Sequence, residues 1–175
     1  MKNLTVAITI LVFAAPVGAR DRSPALRLPY HDYGACPFEC CVYRRCAVVK
    51  DTIVHASRSE SSHIAFRLRK GEHVQAITGV VITTEPGVAV ALRPTVAGGR
   101  RVPTGGWILI LTNLGEGYAK VSYRGRVAEA QVYDESAFKI ERQAKSVWWV
   151  KLRDRHERIG WSNEVDDYGD NDACG

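Results

Sequence analysis

The side chains of this chain best suited to chemistry are its five cysteines and five histidines. Cys36, Cys40, Cys41 and Cys46 crowd into residues 36–46, and Cys174 stands almost at the end of the chain. A thiolate can act as a nucleophile, bind a metal or form a disulfide, and the compartment decides among these. Zinc sites pair cysteines two to four residues apart with a second pair downstream. No second pair follows here, so no metal is expected, with or without His31. A thiol nucleophile needs a base within hydrogen-bond reach and a third group to orient it. Cys46 with His55, His63 or His73 is the available combination, and none of them sits in a local catalytic signature. There is no Gly-x-Ser-x-Gly, no phosphate-cradling glycine loop and no His-Glu-x-x-His. Asp166-Asp167 reads as solvated charge in an acidic tail, and His73 and His156 as surface groups. The chain therefore reads as a non-enzyme without a cofactor.

The compartment is written at the start. Met1-Lys2 precedes an apolar run from Leu4 to Ala15, and Pro16-Val17-Gly18-Ala19 follows with small residues at 17 and 19. This is the pattern of a secretory signal peptide cut after Ala19. The apolar run is shorter than the ~20 residues a bilayer requires, so no membrane span is expected after cleavage. A secreted or periplasmic chain in an oxidising compartment favours disulfides. Adjacent cysteines bridge each other only with strain. Cys174 is thus expected to pair back to the 36–46 segment, with a second bridge inside it. Cys36, Cys40, Cys41 and Cys174 would form the two bonds, leaving Cys46 as a buried thiol or a partner for another chain.

The elements that must position these residues read almost wholly as strands. Apolar residues recur at spacing two or in short runs, and Gly or Pro punctuates them every eight to twelve residues. Residues 20–47 read as an extended arm followed by the cysteine-rich segment. Phe66 and Leu68 alternate with Arg67 and Arg69, Lys70-Gly71-Glu72 turns, and Val74 and Ala76 alternate with His73 and Gln75. Further strands are expected at 80–84, 88–92, 107–111, 118–123, 127–132, 147–152 and 159–161, with the run at 107–111 covered on both faces. Residues 134–145 could form a short helix. The expected fold is all-β, two small barrels packed or interleaved, one over 48–95 and one over 96–175. The net charge of +5 is carried by scattered basic residues without interleaved aromatics, so no nucleic-acid partner is expected.

Two segments resemble SH3 domains. Residues 66–74, Phe-Arg-Leu-Arg-Lys-Gly-Glu-His-Val, resemble the strand–turn–strand of that fold. Val147-Trp148-Trp149-Val150-Lys151-Leu152, followed by Ile159-Gly160-Trp161-Ser162, resembles its double-Trp and Gly-aromatic strands. The cysteine segment together with Asp172-Ala173-Cys174 is similar to bacterial secreted SH3-like proteins. The resemblance implies a non-catalytic binding module whose ligand is a peptide or a peptidoglycan component. Trp148, Trp149, Trp161, Tyr118 and Tyr123 are its candidate binding surface. By strand alternation Trp148 shares a face with Val150 and Leu152, and Trp149 with Lys151, which makes Trp149 the more exposed ring. The competing readings are a thiol-dependent or wall-cleaving hydrolase, and a structural protein that assembles through its edge strands.

Overall fold

The computed structural model describes residues 26–169. In chain order the strands are β1 (Tyr30–Tyr33), β2 (Arg45–Val48), β3 (Thr52–His55), β4 (Ile64–Leu68), β5 (His73–Glu85), β6 (Gly87–Ala91), β7 (Thr95–Ala97), β8 (Arg100–Val102), β9 (Trp107–Gly115), β10 (Tyr118–Tyr123), β11 (Arg126–Gln131), β12 (Phe138–Arg142), β13 (Lys145–Arg153), β14 (Ile159–Ser162) and β15 (Tyr168–Gly169). A 3-10 turn covers Val165–Asp167, and no α-helix occurs among the described residues. No helix there is long and apolar enough to cross a membrane. The signal-peptide reading and Cys174 lie outside the described residues.

The alternation around Lys70-Gly71 translates directly into burial. Phe66, Leu68, Val74 and Ala76 are buried while Arg67, Arg69 and His73 are exposed. Gly71 sits at φ +89°, a conformation glycine adopts without steric cost. The two strands it joins do not pair with each other, however. β4 pairs with β3, and β5 leaves the turn to pair with β2, β1 and β13. The Glu72 carboxylate accepts the Arg69 N–H at 2.8 Å, and Asp51 accepts that of Lys70 at 2.8 Å. These bonds hold the turn while the strands diverge.

β5 is central to the first sheet, whose order is β15-β2-β5-β13-β14-β3-β4 with β1 beside β5, curled into a half-barrel. Its concave face encloses Val48, Val54, Phe66, Leu68, Val74, Val150 and Leu152. The second sheet, β11-β10-β9-β6-β12, has its own core of Ile108, Ile110, Val121, Val132 and Phe138, and β7–β8 forms a separate ribbon. The division expected at 95/96 is therefore corrected. All of the second sheet lies between β5 and β13, because Pro86-Gly87 turns the chain out of the first sheet and β13 returns along β5 from Glu85 to Gln75.

Four further expectations change. Residues 134–145 form a turn and then β12, not a helix. The Asp134 side chain accepts from the Ser136 N–H and hydroxyl, and Phe138-Lys139-Ile140 then alternates inward and outward. Residues 20–47 are more than an arm: Tyr30–Tyr33 pairs with Val80–Thr83 of β5. Asp167 is not solvated tail charge but buried, with Lys50 Nζ at 3.3 Å. Trp107 is 60% exposed, so the apolar run it opens is not covered on both faces at that end.

Tyr168 seals one end of the first core. Burial pushes its phenol pKa up to about 12, from the 10.0 of an ordinary tyrosine. A raised folded-state pKa means that the contribution of the neutral phenol is whole below pH 10 and is lost as the pH climbs through 12. Urea unfolding midpoints measured from pH 9 to 12 are expected to fall more steeply for the wild type than for Tyr168→Phe. Parallel curves would refute this assignment.

Candidate functional site

The convex face of the first sheet carries the most distinctive side-chain arrangement. Register places Trp161 of β14 opposite Lys151 of β13 on one side and His55 of β3 on the other. On the same face Trp149 lies opposite Val80, and Val80 opposite Tyr33 of β1. The polar loop after β3 swings over this face. It carries the Arg58 guanidinium between two rings, 5.4 Å from the Tyr33 centroid and 5.3 Å from the Trp161 centroid. Lys151 Nζ lies 5.8 Å from the same indole. Glu60, on the same loop, accepts from Asn163 Nδ2 at 2.8 Å and so ties the loop to the end of β14.

Two cations thus share one indole. Among the described residues neither Arg58 nor Lys151 has a carboxylate within ion-pair distance. Cation–π contact holds the guanidinium over the rings, and its N–H groups match the geometry of a planar oxyanion. Such an arrangement can accept a carboxylate or a similar anion beside an apolar ring.

The five aromatics read from the sequence do not form one groove. Trp161 is half-buried on the convex face, as just described. Trp149 shares the face of Lys151, as alternation requires, but is only 5% exposed. The expectation that it is the more exposed ring is corrected. His55 packs edge-on to it at 6.0 Å, and Arg58 brings its loop onto that face, where a free-standing sheet would meet water. Trp148 faces the opposite, concave side and is half-buried. It packs against Phe38 at 5.6 Å and Tyr43 at 6.3 Å, and its Nε1 donates to the Tyr43 hydroxyl at 3.3 Å. Tyr43 in turn donates to the Ala35 carbonyl. Tyr123 is buried in the second core, a correction that follows from its sharing a face with Ala119 and Val121. Tyr118 is 44% exposed but stands on the second sheet. Tyr33 and Arg58 escaped the sequence reading because one lies in an apparently patternless arm and the other in a serine-rich loop.

Cys36 and Cys41 form a disulfide, and Cys40 is also disulfide-bonded. Cys46 carries a buried thiol that donates to the Arg44 carbonyl at 3.3 Å. It projects into the concave core, whereas His55 stacks on the convex side and His63 and His73 are exposed. The structure does not bring thiol and imidazole together. The void beside Cys46 and Trp148 measures about 20 Å³, enough for a single water. A wider cleft of about 530 Å³ opens on the second sheet between Leu92, Tyr133, Phe138 and Gln143.

Comparison of the chain with family models, with curated proteins and with solved structures finds no match in any of the three.

Proposed function

We propose that this chain is an exported, non-catalytic binding module of the SH3-like kind. Its ligand is a peptide or cell-wall component that presents a carboxylate to Arg58 and Lys151 and an apolar surface to Trp161. The observation that carries this reading is the Arg58 guanidinium held between Tyr33 and Trp161 with no carboxylate partner among the described residues. The Lys-Gly-Glu turn and the Trp-Trp and Gly-Trp strands support the SH3-like part. The leader pattern at Met1–Ala19 and the disulfide support export.

The test is retention on purified peptidoglycan. Arg58→Ala and Trp161→Ala are each expected to bind about tenfold more weakly than the wild type, the scale of one lost charge-assisted contact or stacking partner. Tyr118→Ala is expected to bind like the wild type. Equal retention of all four proteins would defeat the assignment. Clearing of a wall suspension by the wild type would replace it with a hydrolase.

A further inference from the structure

The cationic character of the convex face does not stop at Trp161. Along β13, Arg153 follows Lys151 on the same side of the sheet. Arg153 lies opposite Gln75 of β5, and Gln75 lies opposite Arg45 of β2. Arg45, Gln75 and Arg153 line one shallow cleft with Arg155. Residues distant in sequence thus form one band, from Arg58 across Trp161 and Lys151 to Arg153 and Arg45.

The carboxylates near the band are already engaged. Glu157 pairs with Arg153 at 3.0 Å, and Glu72 lies 3.8 Å from Arg155. Asp154 is buried, holds Arg158 at 2.6 Å and accepts the His156 and Arg158 N–H groups. Arg45, Arg58 and Lys151 have no carboxylate partner among the described residues. Three strand spacings and one two-residue step separate Trp161 from Arg45, a span of roughly 15 Å. One carboxylate cannot occupy both ends.

We propose that the ligand of this face is an extended anionic polysaccharide, bound at the Trp161 end as set out above and continuing over Lys151 to Arg153 and Arg45. The inference rests on the binding role assigned to Trp161 and adds the class and length of the ligand. An acidic sugar chain supplies both chemistries found here, an apolar ring face for the indole and repeated carboxylates for the arginines. A peptide strand would lie on the face of a sheet whose backbone hydrogen bonds are already made, with no edge to pair with. A single-stranded nucleic acid needs successive stacking platforms, and the band presents one partly exposed indole, already shared with two cations.

The experiment is calorimetric titration with digalacturonate and with a long oligogalacturonate, each against the wild type and three variants. The wild type is expected to bind the long chain about tenfold more tightly than the short one. Arg45→Ser/Arg153→Ser is expected to lose that gain and keep its affinity for digalacturonate. Arg101→Ser/Arg126→Ser removes the same charge from the β7–β8 ribbon and the second sheet and is expected to behave like the wild type. Trp161→Ala is expected to lose both ligands. Affinity independent of chain length, with digalacturonate still bound, overturns the polymer inference alone. Equal loss in both double variants reduces it to net charge and overturns it. Failure of the wild type to bind either galacturonate while it is still retained on peptidoglycan overturns the polysaccharide inference alone, and indifference of both assays to Trp161→Ala overturns the Trp161 assignment itself. A dextran sulfate arm distinguishes sulfate from carboxylate chains, either of which upholds the class. Tighter binding of single-stranded DNA than of any polysaccharide overturns it.

Discussion

Replacing Lys120 by alanine is expected to destabilise the fold by about 3 kcal/mol at neutral pH, read as a lower urea midpoint with unchanged slope. Lys120 Nζ lies 2.6 Å from Asp32 Oδ1, and the Asp32 side chain is 5% exposed. The pair joins β10 of the second sheet to β1, the strand beside β5 of the first. Among the described residues Asp32 Oδ2 has no hydrogen-bond partner, so Lys120 is what balances this charge. Removing one member of a buried pair strands the other, a loss of about 3–5 kcal/mol, and the lower end suits a lysine that keeps some contact with water. Asp32→Leu/Lys120→Met is expected to recover most of the loss, since neither charge then remains buried. If the single variant loses less than about 1 kcal/mol, the pair does not hold the two sheets together.

The same pair has a pH signature. Burial alone would lower the Lys120 pKa, but the hydrogen bond and charge of Asp32 outweigh it, and the pKa is raised above its ordinary value. The stabilisation is then complete below the unfolded lysine pKa of about 10.4 and fades as the pH rises through the folded value. Lys120→Ala is expected to lose stability less steeply than the wild type across that window, the raised phenols of Tyr30, Tyr43, Tyr133 and Tyr168 still contributing. Measuring the variant in the Tyr168→Phe background separates Lys120 from Tyr168.

Trp148→Ala is expected to cost about 3 kcal/mol, because it removes the ring on which the cysteine-rich segment rests. Phe38 meets the indole edge-on, and Tyr43 bridges the indole N–H to the Ala35 carbonyl. Large-to-small changes of a buried Trp cost about 3–5 kcal/mol, and half-burial places this one at the low end. The reverse perturbation is available at Gly79. A methyl group there would collide with the Tyr43 hydroxyl and Trp148 Nε1, so Gly79→Ala is expected to lose about 1–3 kcal/mol by overpacking. Both variants should loosen the same segment, read as faster reduction of the Cys36–Cys41 bond by dithiothreitol. A destabilised Trp148→Ala protein whose disulfide is reduced no faster would show that the ring supports the core but not the segment.

The role of Trp148 differs from the one its sequence context suggested. The Trp-Trp pair resembles an aromatic groove, yet one ring packs against Phe38 and Tyr43 of the cysteine-rich region and the other is buried beside His55. Alternation assigned both rings to the correct faces. It could not say what packs on each face, because segment 35–43 shows no period of its own and His55 reaches Trp149 only through long-range strand pairing.

The features legible in the residues alone are local. Spacing-two apolar residues and Gly turns dictated strands, the Phe66–Ala76 pattern dictated which side chains point inward, and the crowding of cysteines between 36 and 46 dictated a bond within that segment. These follow from forces acting over a few residues: steric limits on the backbone, strand alternation and the short reach of a disulfide. Tertiary structure alone decided that the second sheet is inserted between β5 and β13, that Asp32 meets Lys120, and that Tyr33, Arg58, Trp161 and Lys151 converge. Each of these depends on strand pairing between segments far apart in the chain. Such pairing is chosen by the whole set of buried surfaces at once, which no short window of residues encodes.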